Sequence, residues 1–146
     1  MQQDLPALEY LECQYRPDLL TLVGRWLRQP TDAELHEGYH RLLAVAEACG
    51  ARLWLVDARR RSTANQQGTQ WMTEQFLPLL PQRLGSAVHI AYLFMPRHLQ
   101  EIERDAAVPP LSYFNDLPYR IERFTDEHAA MEWLEAMRRA AASNKP

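Results

Sequence analysis

The sequence predicts a single α/β domain built on a mostly parallel or mixed sheet of about five strands, with helices packed on the sheet. Short apolar runs of strand type alternate with longer segments whose apolar residues recur every three or four positions. The predicted order is β-β-α-β-α-β-α-β-α, which favours right-handed crossovers between parallel neighbours. A length of 146 residues fits one domain over 1–146, with 142–146 as a frayed tail.

The first two predicted strands form a hairpin. Apolar and polar residues alternate from Leu8 to Tyr15, as in a half-buried strand. A second strand is predicted over Leu19 to Leu27. The connection Arg16-Pro17-Asp18 is short and carries turn residues, so the two strands should pair antiparallel.

A helix and a buried strand follow the hairpin. Thr31 or Asp32 is the predicted N-cap, and Gly50 is the predicted left-handed C-cap. One stripe of this helix is apolar: Leu35, Tyr39, Leu42, Ala46 and Cys49. The run Arg52 to Asp57 is almost continuously apolar, which is typical of a strand buried on both faces.

The middle of the chain predicts a second helix, a buried strand, a short helix and a loop. The second helix presents an apolar face made by Trp71, Met72, Phe76, Leu79 and Leu80. Pro78 and Pro81 should bend or end it. The strand covers Val88 to Phe94 and the short helix covers Pro96 to Ala106. The segment Val108 to Pro118 has three prolines and predicts an irregular loop.

The last two elements are an edge strand and a helix. Tyr119 to Phe124 alternates apolar and charged residues, as edge strands do. Thr125 is predicted to cap the final helix. The buried stripe of that helix is Ala130, Trp133, Leu134, Met137 and Ala141.

Composition and charge narrow the function classes. The formal net charge is −3, which argues against broad binding to nucleic acid or anionic lipid. Cys13 and Cys49 lie far apart without CxxC spacing, so neither a zinc site nor a redox pair is predicted. No apolar run approaches the roughly 20 residues of a membrane span, and no export signal is recognisable. The expected location is cytoplasmic, and no cofactor is predicted.

Four segments carry a resemblance to a known family. They are Thr21–Trp26 (TLVGRW), Trp54–Arg59 (WLVDAR), Trp71–Leu77 (WMTEQFL) and Arg123–Leu134 (RFTDEHAAMEWL). Together with the element order, they make the chain similar to STAS-like domains, the fold of anti-sigma-factor antagonists, and most similar to the bacterial SpoIIAA-like branch. The resemblance implies a non-enzymatic regulatory or scaffolding protein that works in signalling through partner binding.

One position departs from the family pattern. In antagonist members a phosphorylatable serine directly follows the aspartate that ends the central strand. Here Asp57 is followed by Ala58 and three arginines, and hydroxyls come only at Ser62 and Thr63. The phosphorylation switch is therefore not predicted for this chain.

The segment His36-Glu37-Gly38-Tyr39-His40 matches the HExxH pattern of zinc proteases. We interpret it as a chance match. The apolar stripe places both histidines to one side of the helix, Gly38 weakens the helix, and no third ligand follows. The chain is predicted not to be an enzyme, and stoichiometric zinc in the purified protein would contradict this.

Charged residues follow several predicted strands. Ligands of open parallel sheets bind beyond the carboxyl ends of the strands, where helix N-termini point. We therefore predict an anion-binding or acidic-partner-binding rim there. Its residues are Arg28, Asp57, Arg59, Arg60, Arg61, Ser62, Arg97 and His98. The alternatives are that the arginines only keep loops soluble, and that Asp57 caps its loop or pairs with an arginine such as Arg59.

Two functions follow from these expectations. The first is a regulatory or protein-interaction module that binds a protein partner or self-associates as a homodimer. The second is a domain that binds a small anionic or lipid-like ligand between the sheet and a cover formed by Val108–Pro118. The first predicts no buried concave pocket, and the second predicts an apolar cavity beneath that loop.

Overall fold

The computed structural model describes residues 7–61, 70–85, 87–105, 110–114 and 117–143. The strands are β1 (Leu11–Arg16), β2 (Thr21–Trp26), β3 (Leu53–Asp57), β4 (Val88–Leu93) and β5 (Tyr119–Phe124). The α-helices are α1 (Asp32–Cys49), α2 (Leu79–Leu84), α3 (Pro96–Arg104) and α4 (Glu127–Ser143). A π-helical turn covers Met72–Phe76, and a 3-10 turn covers Leu111–Phe114.

The five strands form one mixed sheet in the order β1-β2-β3-β4-β5. β1 and β2 are antiparallel, and the three remaining pairs are parallel. The predicted fold class is therefore confirmed, including the opening hairpin and β5 at the edge. From β2 to β5, each connection leads to the next strand on the same side. Right-handed connections of this kind all place their helices on one face of the sheet.

The helices divide unequally between the two faces of the sheet. Apolar residues of α1, the π-helical turn, α2 and α3 pack in one core cluster with Leu22, Trp54 and Ile90. The opposite face is covered by α4, whose Ala130 and Leu134 pack on the sheet. Below, these are called the α1 face and the α4 face. Alternate residues of every strand point to opposite faces, so neighbouring positions of one strand belong to different sites.

The ends of α1 agree with the sequence signals. Thr31 is the N-cap: its hydroxyl accepts from the backbone N–H of Glu34 at 3.2 Å, and the Glu34 carboxylate accepts from the backbone N–H of Thr31 at 3.0 Å. This reciprocal pair is a capping box. Gly50 ends the helix with φ +68°, the left-handed conformation that glycine adopts without steric cost.

Two local predictions have different outcomes. The predicted second helix is broken at Pro78, one of the two prolines expected to bend or end it: a π-helical turn precedes Pro78, and Pro78, which has no N–H to continue that turn, is the N-cap of a separate helix α2. The cap of α4 is Asp126 and not Thr125. The Asp126 carboxylate accepts from the Ala129 N–H at 3.0 Å, and its carbonyl accepts the first helical bond from Ala130.

Several element ends shift by a few residues. β1 begins at Leu11, and Leu8 makes only an isolated bridge to it. β2 spans Thr21–Trp26 within the predicted 19–27, while β5 has the predicted bounds. In the described part of 108–118, residues 111–114 form the 3-10 turn. No helix among the described residues has the length and apolar content required to cross a bilayer.

Candidate functional site

The carboxyl ends of β2, β3, β4 and β5 lie side by side along one edge of the sheet. Strand pairing aligns Arg25 with Asp57, Asp57 with Leu93, and Leu93 with Phe124. The segments that follow β3 and β4 therefore leave the sheet at a common rim, as predicted. The charged residues of this rim, however, divide between the α1 face and the α4 face, and the two groups differ chemically.

Four residues on the α4 face form a closed ion-pair cluster, which comprises Arg25, Asp57, Arg59 and Glu127. Arg25 donates to Asp57 at 2.9 Å and to Glu127 at 2.8 Å. Arg59 donates to Asp57 through its backbone N–H, its Nε and an Nη, at 3.0 to 3.1 Å. It also reaches Glu127 at 3.3 Å. Two cations face two carboxylates, so this cluster has no excess positive charge.

Protonation of the cluster follows from these bonds. Burial acts to raise the pKa of Asp57, but hydrogen bonds from Arg59 and Arg25 outweigh it and leave the pKa below its ordinary value. The hydrogen bond from Arg25 lowers the pKa of Glu127. Both carboxylates are therefore ionised near neutrality. The alternative reading of Asp57, as a loop cap paired with Arg59, matches the observed contacts, and Arg59 does not offer a free anion site.

Arg28 is also neutralised, at a different place. It donates to Glu34 with both Nη atoms at 2.8 Å and to Glu9 at 2.9 Å. These bonds tie the end of β2 to the first turn of α1. The guanidinium of Arg28 is thus occupied by two carboxylates, and these contacts give no support to its expected role in an anion-binding rim, which stays a prediction.

Three further predicted residues contribute little that the structure describes. Arg60 and Arg97 are exposed, and neither makes an ion pair with a described residue. Ser62 lies outside the described residues, so its predicted role is not addressed. Arg61 and His98 remain, and both turn towards the α1 face.

The Arg61 site comprises Arg61, His98, Trp26, Tyr39 and Tyr92. The Arg61 guanidinium lies over the Trp26 ring, 5.7 Å from its centroid, a cation–π arrangement. The Trp26 and Tyr39 rings are 5.6 Å apart, and the Tyr39 and Tyr92 hydroxyl oxygens are 2.7 Å apart in a buried hydrogen bond. Burial raises the pKa of both tyrosines, so both hydroxyls stay protonated.

His98 closes the site on the side of α3. It is only 6% exposed, and its ring packs edge-on against Phe94 with centroids 5.2 Å apart. Burial and the nearby Arg61 charge lower the pKa of His98, so the imidazole is neutral at pH 7. His98 belongs to the first turn of α3, where the first intrahelical backbone bond is Leu99 N–H to Met95 O. The preceding N–H groups mark the positive end of the helix dipole.

Several polar atoms near this site are buried without a partner. The Nε of Arg61, both ring nitrogens of His98 and the indole N–H of Trp26 make no hydrogen bond to any described residue. A buried polar group that lacks a partner costs about 1 to 3 kcal/mol. Such groups are rare in folded proteins, and each one calls for an explanation such as a bound water, ion or ligand.

Sequence reasoning included Arg61 and His98 but missed the aromatic part of the site. Tyr39 appeared only as a member of the apolar stripe of α1, and Tyr92 only as part of a buried strand. A buried tyrosine hydroxyl requires a hydrogen-bond partner, and that requirement was the available signal. It could not identify the partner, because the two tyrosines are 53 positions apart.

The two histidines of the HExxH segment contact the same aromatic ring. His36 stacks on Trp71 with ring centroids 3.9 Å apart, and His40 meets the edge of the same ring at 5.8 Å. Among the residues that the structure describes, no group of three or more His, Cys, Asp or Glu side chains is arranged to hold a metal ion. Close packing explains the glycine at position 38, because a Cβ there would lie 2.5 Å from the nearest atom of the Trp26 ring.

A separate shallow groove of about 390 Å³ lies on the α4 face. It is bounded by β2 and α4, with Val23, Leu55 and Met131 among its apolar residues. The apolar cavity expected from the sequence lies elsewhere, beneath residues 108–118. The structure describes only part of that segment, so the cavity stays a prediction.

Comparison of this chain with known protein families, with functionally characterised proteins and with solved structures finds no match. The class of protein that the fold defines is an α/β domain with a five-stranded mixed sheet. The resemblance to STAS-like domains stays a prediction.

Proposed function

We propose that this chain binds a small ligand with an anionic oxygen group, such as a phosphate, at the Arg61 site. An anionic oxygen can accept from the Arg61 guanidinium, and guanidinium–phosphate hydrogen bonds are among the strongest in proteins. The first turn of α3 supplies a positive helix end beside His98. The rings of Trp26 and Tyr92, which belong to the same site, are the apolar groups that would contact the remainder of the ligand.

One observation carries the proposal. Arg61 Nε and both His98 nitrogens are buried side-chain atoms that find no acceptor or donor among the described residues. Two described carboxylates at the rim, those of Asp57 and Glu127, belong to the ion-pair cluster on the other face. An arginine near buried, unpartnered donors and without a described carboxylate partner has the chemistry of an anion-binding group.

The interaction-module function stays a prediction with less support. The exposed large apolar residues among those described are Leu20 and Met95, which are 49% and 52% exposed. Leu20 precedes β2 and Met95 follows β4, so they lie beyond opposite ends of two parallel strands. They form no contiguous apolar patch of the kind that marks a protein interface.

The test is a titration of ¹⁵N-labelled protein with phenyl phosphate, which combines a phosphate with an aromatic ring, and in parallel with inorganic phosphate and benzoate. We expect shift changes at the Trp26 indole N–H, at Arg61 Nε–H and at the His98 backbone amide. Arg61→Gln should weaken phenyl phosphate binding about tenfold or more, since it removes a charged hydrogen bond.

Arg60→Gln is the matched control, because it removes the same charge one position earlier from an exposed side chain. We expect its affinity to remain within about twofold of the wild type, since exposed charges act weakly at a distance. An equal loss of phenyl phosphate affinity in both variants would indicate that the protein attracts the anion through its positive charges in general and not through a site at Arg61. The absence of any shift at Arg61 and His98 in the wild type would refute the proposal. Stronger binding of benzoate than of phenyl phosphate would assign the site to carboxylates.

A further inference from the structure

The turn that carries Arg61 is fixed at both ends by backbone hydrogen bonds. The Ala58 N–H donates to the Leu93 carbonyl at 2.8 Å, which continues the pairing of β3 and β4 by one residue. The Arg61 N–H donates to the Ala58 carbonyl at 3.2 Å, so residues 58–61 form a single turn. Ala58 is fully buried, which leaves little freedom at the start of this turn.

A single carboxylate holds the middle of the same turn. Asp57 Oδ1 accepts from the Arg59 backbone N–H at 3.1 Å and from Arg59 Nε at 3.0 Å. Its Oδ2 accepts from an Nη of Arg59 at 3.0 Å and from Arg25 at 2.9 Å. An aspartate that bonds the backbone two residues ahead shapes the following turn. The side-on pair with Arg59 also holds that side chain on the α4 face.

From this geometry we infer that Asp57 is the positioning residue of the Arg61 site, and this inference rests on the proposed function. Asp57 touches no part of the site itself. Its carboxylate fixes the turn, and the turn delivers the Arg61 guanidinium to its place above Trp26. An arginine side chain loses considerable rotamer entropy when it is held in one position. A turn that fixes its backbone in advance reduces the part of this cost that falls on ligand binding.

A purely structural role for Asp57 makes a different prediction. Glu127 belongs to the same ion-pair cluster, and it accepts from both Arg25 and Arg59. Its bonds within the cluster, however, are to the side chains of Arg25 and Arg59 and not to the backbone of residues 58–61. If Asp57 acts only through the stability of the cluster, its loss and the loss of Glu127 should have the same effect on Arg61.

The experiment therefore compares Asp57→Ala, Asp57→Asn and Glu127→Gln by ¹⁵N spectra and by phenyl phosphate titration. Without ligand, we expect the Arg61 Nε–H and Trp26 indole signals to shift or broaden in Asp57→Ala and to stay at the wild-type positions in Glu127→Gln. We expect Asp57→Ala to bind phenyl phosphate about tenfold more weakly and Glu127→Gln to stay within about twofold. Asp57→Asn keeps one acceptor oxygen and should fall between them.

The two proposals fail in different ways. If the wild type binds no phenyl phosphate, the proposed function is wrong, while the ligand-free Arg61 and Trp26 signals still decide the positioning role. If those signals move equally in Asp57→Asn and Glu127→Gln, or in neither, the positioning role is refuted. Because Asp57→Asn has nearly the shape of the native residue, it serves as the test should Asp57→Ala fail to fold.

Discussion

Replacement of Gly38 by alanine should destabilise this protein, although glycine is normally the poorer residue inside a helix. A Cβ built on Gly38 would lie 2.5 Å from Cη2 and 2.9 Å from Cζ3 of Trp26, and 3.2 Å from a methyl carbon of Leu11. Trp26 is only 1% exposed and its ring is rigid, so it cannot move aside freely. The contact therefore has to be relieved by a shift of α1 or of β2.

The magnitude follows from two opposing effects. Alanine gains about 1 kcal/mol over glycine in a helix interior. Overpacking of a buried site costs about 1 to 3 kcal/mol, and two contacts with a buried aromatic ring place Gly38 at the upper end. We expect a net loss of about 2 kcal/mol, which for a domain of this size corresponds to a decrease in Tm of about 4 to 8 °C.

Urea denaturation of four variants provides the measurement: wild type, Gly38→Ala, Trp26→Phe and the double variant. The smaller phenyl ring removes the atoms that the new methyl group would meet. In the Trp26→Phe background, Gly38→Ala should therefore become neutral or stabilising by about 1 kcal/mol. If Gly38→Ala stabilises the protein with Trp26 in place, or destabilises it equally in both backgrounds, the packing argument is wrong.

Three further predictions concern polar groups that are buried or partly buried. Tyr39→Phe and Tyr92→Phe should each cost about 1 to 2 kcal/mol in urea denaturation, because each leaves the other hydroxyl of a 2.7 Å pair without this partner; additive effects in the double variant would show that the bond contributes nothing. Arginine bonds lower the folded-state pKa of Asp57 and Glu127. The unfolded state therefore binds more protons in acid than the folded state does. The free energy of unfolding should be steady above about pH 5 and should fall as the pH drops through the lowered folded-state pKa values. The double variant Asp57→Asn/Glu127→Gln lacks both carboxylates, so its free energy of unfolding should depend less on pH. Burial raises the pKa of the Cys13 thiol to about 11, so iodoacetamide at pH 8 should label it far more slowly than a small free thiol; equal rates by mass spectrometry would contradict this.

The sequence determined the local elements of this protein. Alternation in 8–15 and 119–124 and the apolar stripe of α1 predicted strands and a helix that the structure contains. The capping signals at Thr31 and Gly50 were also correct. These features are set by interactions between residues two to four positions apart, so their pattern is readable along the chain.

Only the tertiary structure decided which charged groups remain available at the rim. Glu127 neutralises Arg25 from a position 102 residues away, and the hydroxyls of Tyr39 and Tyr92 meet across 53 residues. No local periodicity encodes such pairs, because they depend on how successive crossovers align the strands and on which helix covers each face. Arginines that look equivalent in the sequence, such as Arg59 and Arg61, thus lie on opposite faces of the sheet, one held by carboxylates and the other without a carboxylate partner among the described residues.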